Sequence, residues 1–78
     1  DGRNDLFRII GLRFQKLVDF RIYNRYGQEV FQTNTADKGW DGTVNGVPQD
    51  LGVYNYSIIV ALPDGNQKTY KGTVTLIR

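Results

Sequence analysis

Val53-Tyr54-Asn55-Tyr56-Ser57-Ile58-Ile59-Val60-Ala61-Leu62, turning at Pro63-Asp64-Gly65 and returning over Thr69 to Arg78, is the stretch that decides the fold. Its even positions Tyr54, Tyr56, Ile58, Val60 and Leu62 are apolar and are opposed by Asn55 and Ser57, the period-two pattern of a half-buried strand. Beyond the turn, Tyr70, Val74 and Leu76 alternate with Lys71, Thr73 and Thr75 in the same way. Pro63 presets φ at the first turn position, Asp64 suits the second, and Gly65 takes the left-handed one. A three-residue loop at 63–65 sets Leu62 opposite Asn66. The register that follows places Ile58 across from Tyr70, Tyr54 across from Val74, and the Tyr56 ring over Gly72. The two apolar faces then coincide, although the choice of turn did not require it.

Working toward the N-terminus, Leu17 to Asn24 alternates too, with Val18, Phe20 and Ile22 on one face and Asp19 and Arg21 on the other. Asn24-Arg25-Tyr26-Gly27 is a second turn, opened by Asn and closed by Gly. It predicts Ile22 facing Val30 in the core and Arg21 beside Phe31 on the outside, as a cationic stem packed on an aromatic. Asn34 to Leu51 is irregular and long for a connection, so it is expected to cross from one layer to the other. Within it, Trp40 is expected to seal one end of the core and Asp41 to cap nearby backbone N–H groups in an Asx-type turn. Asp5 to Ile10 reads as a first strand. The expected fold is all-β: a small Ig-like antiparallel β-sandwich of five to seven strands.

At 78 residues the chain is one domain, 1–78, with a modest core and little room for a deep cleft. A hydrophobic share of 40% and a charged share of 23% mark a folded chain rather than a disordered one. Net charge is +2, and ten bases are interspersed with eight acids without a basic run, so no nucleic-acid footprint is predicted. The longest apolar run, Ile58 to Pro63, is far too short for a membrane span, so no membrane insertion is expected. Absence of Cys rules out disulfides.

Catalysis is poorly provided for. His and Cys are both absent, which removes the commonest general base, the strongest nucleophile and the usual zinc ligands. Ser57, the single serine, sits mid-strand. Asp37 and Asp41, the nearest carboxylate pair, flank a turn and are expected to be solvated loop acids. The spacing of Gly39, Gly42 and Gly46 makes no phosphate loop. One metal candidate stands: Asp1, Asn4 and Asp5 gather hard oxygen ligands of the kind Ca²⁺ takes. Their spacing is not that of an EF-hand and they are too few for the ion, so a capped turn is favoured and no cofactor is expected.

Taken together, several stretches resemble a known family. Asp1-Gly2-Arg3-Asn4-Asp5, Ile22-Tyr23-Asn24-Arg25-Tyr26-Gly27 with Val30-Phe31, and Trp40-Asp41-Gly42 are similar to signatures of the gliding-motility-associated C-terminal domain. So are Asn45-Gly46-Val47-Pro48, Gly52-Val53-Tyr54-Asn55-Tyr56 and Tyr70 to Arg78. This is the type B sorting domain of the type IX secretion system in Bacteroidota. Each motif is weak alone, but their shared order across nearly the whole chain is specific. Two departures stand out: the family often carries Thr-Pro-Asn-Gly ahead of its Asp-Gly, and Tyr26 replaces a commoner Trp.

The resemblance implies a monomeric Ig-like domain at the end of a larger exported protein. It also implies recognition by outer-membrane translocon components, including an SprF-like barrel, with delivery to the cell surface or medium. Two surfaces are candidates for being read. One is the last strand, with Lys71, Thr73, Thr75, Ile77 and Arg78, where an exposed edge invites main-chain pairing. The other is the Arg25-Tyr26-Gly27 turn, where an aromatic tip flanked by Arg resembles an interface anchor. Two alternatives compete: a carbohydrate-binding or adhesive module using Tyr23, Tyr26 or Trp40, and a plain Ig-like spacer.

Overall fold

A computed structural model describes Phe7 and residues 15–77. Six strands run in chain order: β1 (Lys16–Tyr23), β2 (Glu29–Thr33), β3 (Thr43–Val44), β4 (Val47–Pro48), β5 (Gly52–Ala61) and β6 (Gln67–Leu76). No helix occurs among the described residues, and every pairing is antiparallel. The main sheet has the order β2-β1-β5-β6, and β3 and β4 form a second, two-stranded sheet. The small all-β, Ig-like arrangement expected from the sequence is therefore present.

The β5–β6 hairpin follows its predicted register throughout, with Ile58 opposite Tyr70, Tyr56 opposite Gly72 and Tyr54 opposite Val74. Its turn closes as the residues dictate. Leu62 N–H donates to Asn66 O at 2.7 Å and Gly65 N–H to Leu62 O at 2.9 Å, with Gly65 at φ 90°. Asp64 Oδ1 caps Asn66 N–H at 2.9 Å. The Tyr56 ring lies over Gly72 so closely that a Cβ there would stand 2.5 Å from its hydroxyl.

β1 departs from simple alternation. Leu17 pairs with Val60 and Asp19 with Ile59, so Val18 is an extra, bulged residue. The bulge reverses the phase: Leu17 is 6% exposed and in the core, while Val18 is 37% exposed. The expectation that Val18 shares the core face is thus corrected. A second irregularity lies in the β1–β2 hairpin, where Ile22 pairs with Phe31 and Tyr23 with Glu29, leaving Val30 as the extra residue. This corrects the expected facing of Ile22 with Val30 and of Arg21 with Phe31. Phe31 turns inward to meet Phe20 edge-on at 5.6 Å, and both Val30 and Phe31 pack against the core. Arg21 faces Gln32 instead and binds carboxylates, Asp19 at 2.7 Å and Glu29 at 3.3 Å. Asp19 also accepts from Gln32 Nε2 at 2.9 Å.

The core holds Leu17, Phe20, Ile22, Trp40, Tyr54 and Val60. Because β1 separates β2 from β5, the 34–51 connection passes over β1, and it supplies the layer that covers the inner face. Trp40 meets Tyr54 edge-on at 4.9 Å, and its indole N–H donates to Thr43 O at 3.0 Å. Phe7 bridges Trp40 through two backbone hydrogen bonds and sets its ring against Phe20 and Tyr56. The remainder of the predicted first strand, Asp5 to Ile10, lies outside the described residues. Asp41 caps as expected: its Oδ1 accepts from Thr43 Oγ at 2.7 Å and from Thr43 N–H at 3.0 Å. Tyr54 Oη donates to Asp50 O at 2.6 Å, the backward tyrosine bond that pins strand entry in Ig-type sandwiches.

Candidate functional site

The β1–β2 turn is built by one side chain. Asn24 Oδ1 accepts from the N–H groups of Tyr26 and Gln28, both at 2.9 Å, and Asn24 Nδ2 donates to Gln28 Oε1 at 2.8 Å. Gly27 closes the turn at φ 82°, donating to Asn24 O at 3.0 Å. An internally tied turn of this kind presents its tip as a fixed shape. Tyr26 is 72% exposed on that tip. The Arg25 guanidinium donates to its hydroxyl at 2.9 Å and lies 5.0 Å from its ring centroid. That hydrogen bond, with lesser help from Asp50, raises the Arg25 pKa above its ordinary value. Arg25 and Tyr26 therefore form a paired cation and aromatic ring on the tip. Asn24, Arg25, Tyr26, Leu51, Val53 and Tyr54 contribute to a small cleft of about 80 Å³ beside it.

The second candidate lies on β6, which is an edge of the main sheet. Lys71, Thr73 and Thr75 are exposed on its outer face, and Ile77, just past its end, is 76% exposed. Arg78 lies outside the described residues, as do the Ca²⁺ candidates Asp1, Asn4 and Asp5. Tyr70 pairs with Ile58 as predicted but is 42% exposed; Lys68 Nζ stands 5.7 Å from its ring centroid.

Both candidates come to the same end of the sheet. The row Tyr23–Asn55–Thr73 crosses β1, β5 and β6, so the chain beyond Tyr23 enters the turn on one side while Thr75 and Ile77 continue on the other. Between them β5 presents Val53, opposite Thr75, and Leu51 precedes it; both are exposed. Sequence reasoning did not single these two out. The available signal was an apolar residue, Val53, at an outward position beside the polar Asn55 and Ser57. Higher on the same face, Tyr23, Asn55, Ser57, Lys71 and Thr73 line a broad depression.

Little here suits catalysis or sugar stacking. Asp37 and Asp41 are exposed loop acids, and Asp41 is held below the usual carboxylate range by its bonds to the Thr43 hydroxyl and N–H. No group of three or more His, Cys, Asp or Glu that could hold a metal occurs among the described residues. Trp40 is buried, Tyr23 is half-buried, and the Tyr26 hydroxyl is engaged by Arg25. What the surface offers is a rigid tip, an apolar middle and a long strand edge.

Comparison with known families bears on the chain as a whole. Neither a curated protein nor a solved structure matches the chain. A family model, the CHU_C type IX secretion signal domain, matches residues 1–76. The chain belongs to the type IX secretion signal domain family.

Proposed function

We propose that the domain is a folded address without chemistry of its own, read at the surface formed by β6 and the 24–27 turn. A type IX secretion signal domain marks its protein for export to the cell surface or medium and is recognised by the type IX machinery. The family match over residues 1–76 carries this reading. In finer detail, residues 1–78 act as one sorting domain of a larger exported protein, of the gliding-motility-associated type found in Bacteroidota. Its receptor is an SprF-like outer-membrane barrel. The ordered signatures from Asp1-Gly2 to the final strand support that assignment. The recognition residues are Arg25, Tyr26 and Gly27 with Lys71, Thr73, Thr75, Ile77 and Arg78. Their support, for all but Arg78, which lies outside the described residues, is exposure on β6 and on the turn at the end of the same sheet, together with the fixed geometry of that turn. A role without catalysis is supported by a composition that lacks His and Cys.

The test is a reporter that reaches the periplasm, fused ahead of residues 1–78 in a bacterium carrying a type IX system. The intact fusion is expected outside the cell, and loss of the SprF-like barrel is expected to retain it. Deleting Thr73 to Arg78 is expected to block export. Equal export of the truncated fusion, with its fold verified by circular dichroism, would defeat the assignment of the last strand.

A further inference from the structure

The two edges of the main sheet are managed very differently. β2 is five residues long and its pairing carries a bulge, both of which blunt an edge. β6 is ten residues long, pairs with β5 without a register shift, contains no Pro and is rich in β-branched residues. Antiparallel geometry shows which of its groups face out. Leu62 N–H donates to Asn66 O, so hydrogen-bonded pairs fall on even residues of β6 from there on. The N–H and C=O groups of Gln67, Thr69, Lys71, Thr73 and Thr75 are therefore directed away from β5, and no described strand lies beyond them. A long edge without Pro or bulge, guarded only by Lys68 and Lys71, is a template for one more strand of suitable charge.

Charge selects the occupant. The only ionised side chains on β6 are Lys68 and Lys71, and β5 carries no charged residue at all. A second copy paired two-fold on this edge would add two further lysines and no carboxylate, and a pairing centred on Lys71 would set that lysine against itself, which cross-strand pairing disfavours. A strand bearing Asp or Glu would meet them favourably. Resting on the secretion-signal reading above, we propose that the β6 edge takes up an extended, carboxylate-bearing strand of the translocation machinery by β-augmentation. Main-chain hydrogen bonds supply the affinity, and Lys68 and Lys71 set the preference for acidic partners.

Proline separates edge pairing from folding, because at Thr73 it removes an outward N–H and none of the β5–β6 bonds. Export of the reporter fusion is measured for the intact domain, for Thr73→Pro, and for Gln32→Pro, the matching outward position on β2. Thr73→Pro is expected to reduce export about tenfold or more, and Gln32→Pro to leave it near the intact level. Equal export of Thr73→Pro and the intact fusion overturns the proposal while leaving the secretion role standing; failure of the intact fusion to leave the cell overturns the secretion role itself. Should Thr73→Pro not fold, the Lys68→Glu/Lys71→Glu double variant takes its place, since both side chains are exposed. Loss of export there supports the acidic strand, and unchanged export overturns it. A concentration-dependent dimer in sedimentation that Thr73→Pro abolishes would instead assign the edge to a second copy.

Discussion

The two hairpins of the main sheet use the same turn device and arrive at opposite results. In each, an Asx side chain caps the turn and a glycine with positive φ closes it: Asn24 with Gly27, Asp64 with Gly65. The β5–β6 ladder then runs without interruption, whereas β1–β2 is broken at Val30 and β1 is broken again at Val18. Bulges increase local twist and re-aim side chains. In β1 they gather Leu17, Phe20 and Ile22 into the core, and Phe31 packs against them. Regularity in β6 leaves much of the strand to solvent, and no described strand shields its outer edge. The irregular hairpin gives three of its residues to the core and a tied tip at 24–27, and the regular one gives Tyr54 and Val60 to the core and a long strand edge.

The largest effect expected from this contrast lies at the β1 bulge. Leu17→Ala should cost about 2–4 kcal/mol, because a nearly buried Leu loses its transfer energy and leaves a cavity. Val18→Thr should change stability by less than about 0.5 kcal/mol, since its side chain is partly in water. Urea unfolding of both variants measures the difference. Similar costs at the two positions would mean that β1 alternates without a bulge, and the contrast between the hairpins would disappear.

That pair of residues also marks how far the sequence could be read. The β5–β6 register followed from Pro63-Asp64-Gly65 because a turn of known length determines every pair beyond it, and the coincidence of apolar faces provided a check. No comparable check existed for β1. Leu17 and Val18 are both apolar and adjacent, so period-two reasoning could choose either phase, and only packing across to Val60 selects Leu17. Val30-Phe31 poses the same ambiguity. The β3–β4 hairpin was missed, since Asn34 to Leu51 reads as irregular: Asn45-Gly46, with φ values of 52° and 80°, suits a tight two-residue turn, but its strands are too short to show a period. At the proposed recognition surface, the turn and last strand were legible from residue type. Their convergence around Leu51 and Val53 was not, because it depends on β5 lying between β1 and β6.

A smaller effect tests the regular hairpin. Gly72→Ala places a Cβ 2.5 Å from the Tyr56 hydroxyl, so the ring must swing away and give up its packing on Phe7. The expected cost is about 1–3 kcal/mol. In a Tyr56→Ala background the same substitution has nothing to displace and should be close to neutral. A double-mutant cycle therefore reads the predicted coupling directly. Additive costs would show that Tyr56 does not cover Gly72 and that the β5–β6 register is wrong.

The smallest expected effect belongs to the connection that joins the two hairpins, and it depends on pH. Asp41 is held below its ordinary value of 3.8 because the Thr43 hydroxyl and N–H both donate to its ionised form. A carboxylate whose folded pKa is depressed stabilises the fold above its unfolded pKa, and that contribution fades as pH falls through the lower folded value. Because Asp41 is exposed, solvent screening limits the effect, and about 0.5–1 kcal/mol is expected at neutral pH. Asp41→Asn keeps an acceptor oxygen but no charge. Its stability should fall below that of the parent at pH 7, and the two curves should converge as pH falls through the lowered folded value of the parent carboxylate. A constant gap from pH 7 to pH 2 would show that Asp41 acts by shape alone, and that the link between the hairpins draws nothing from its charge.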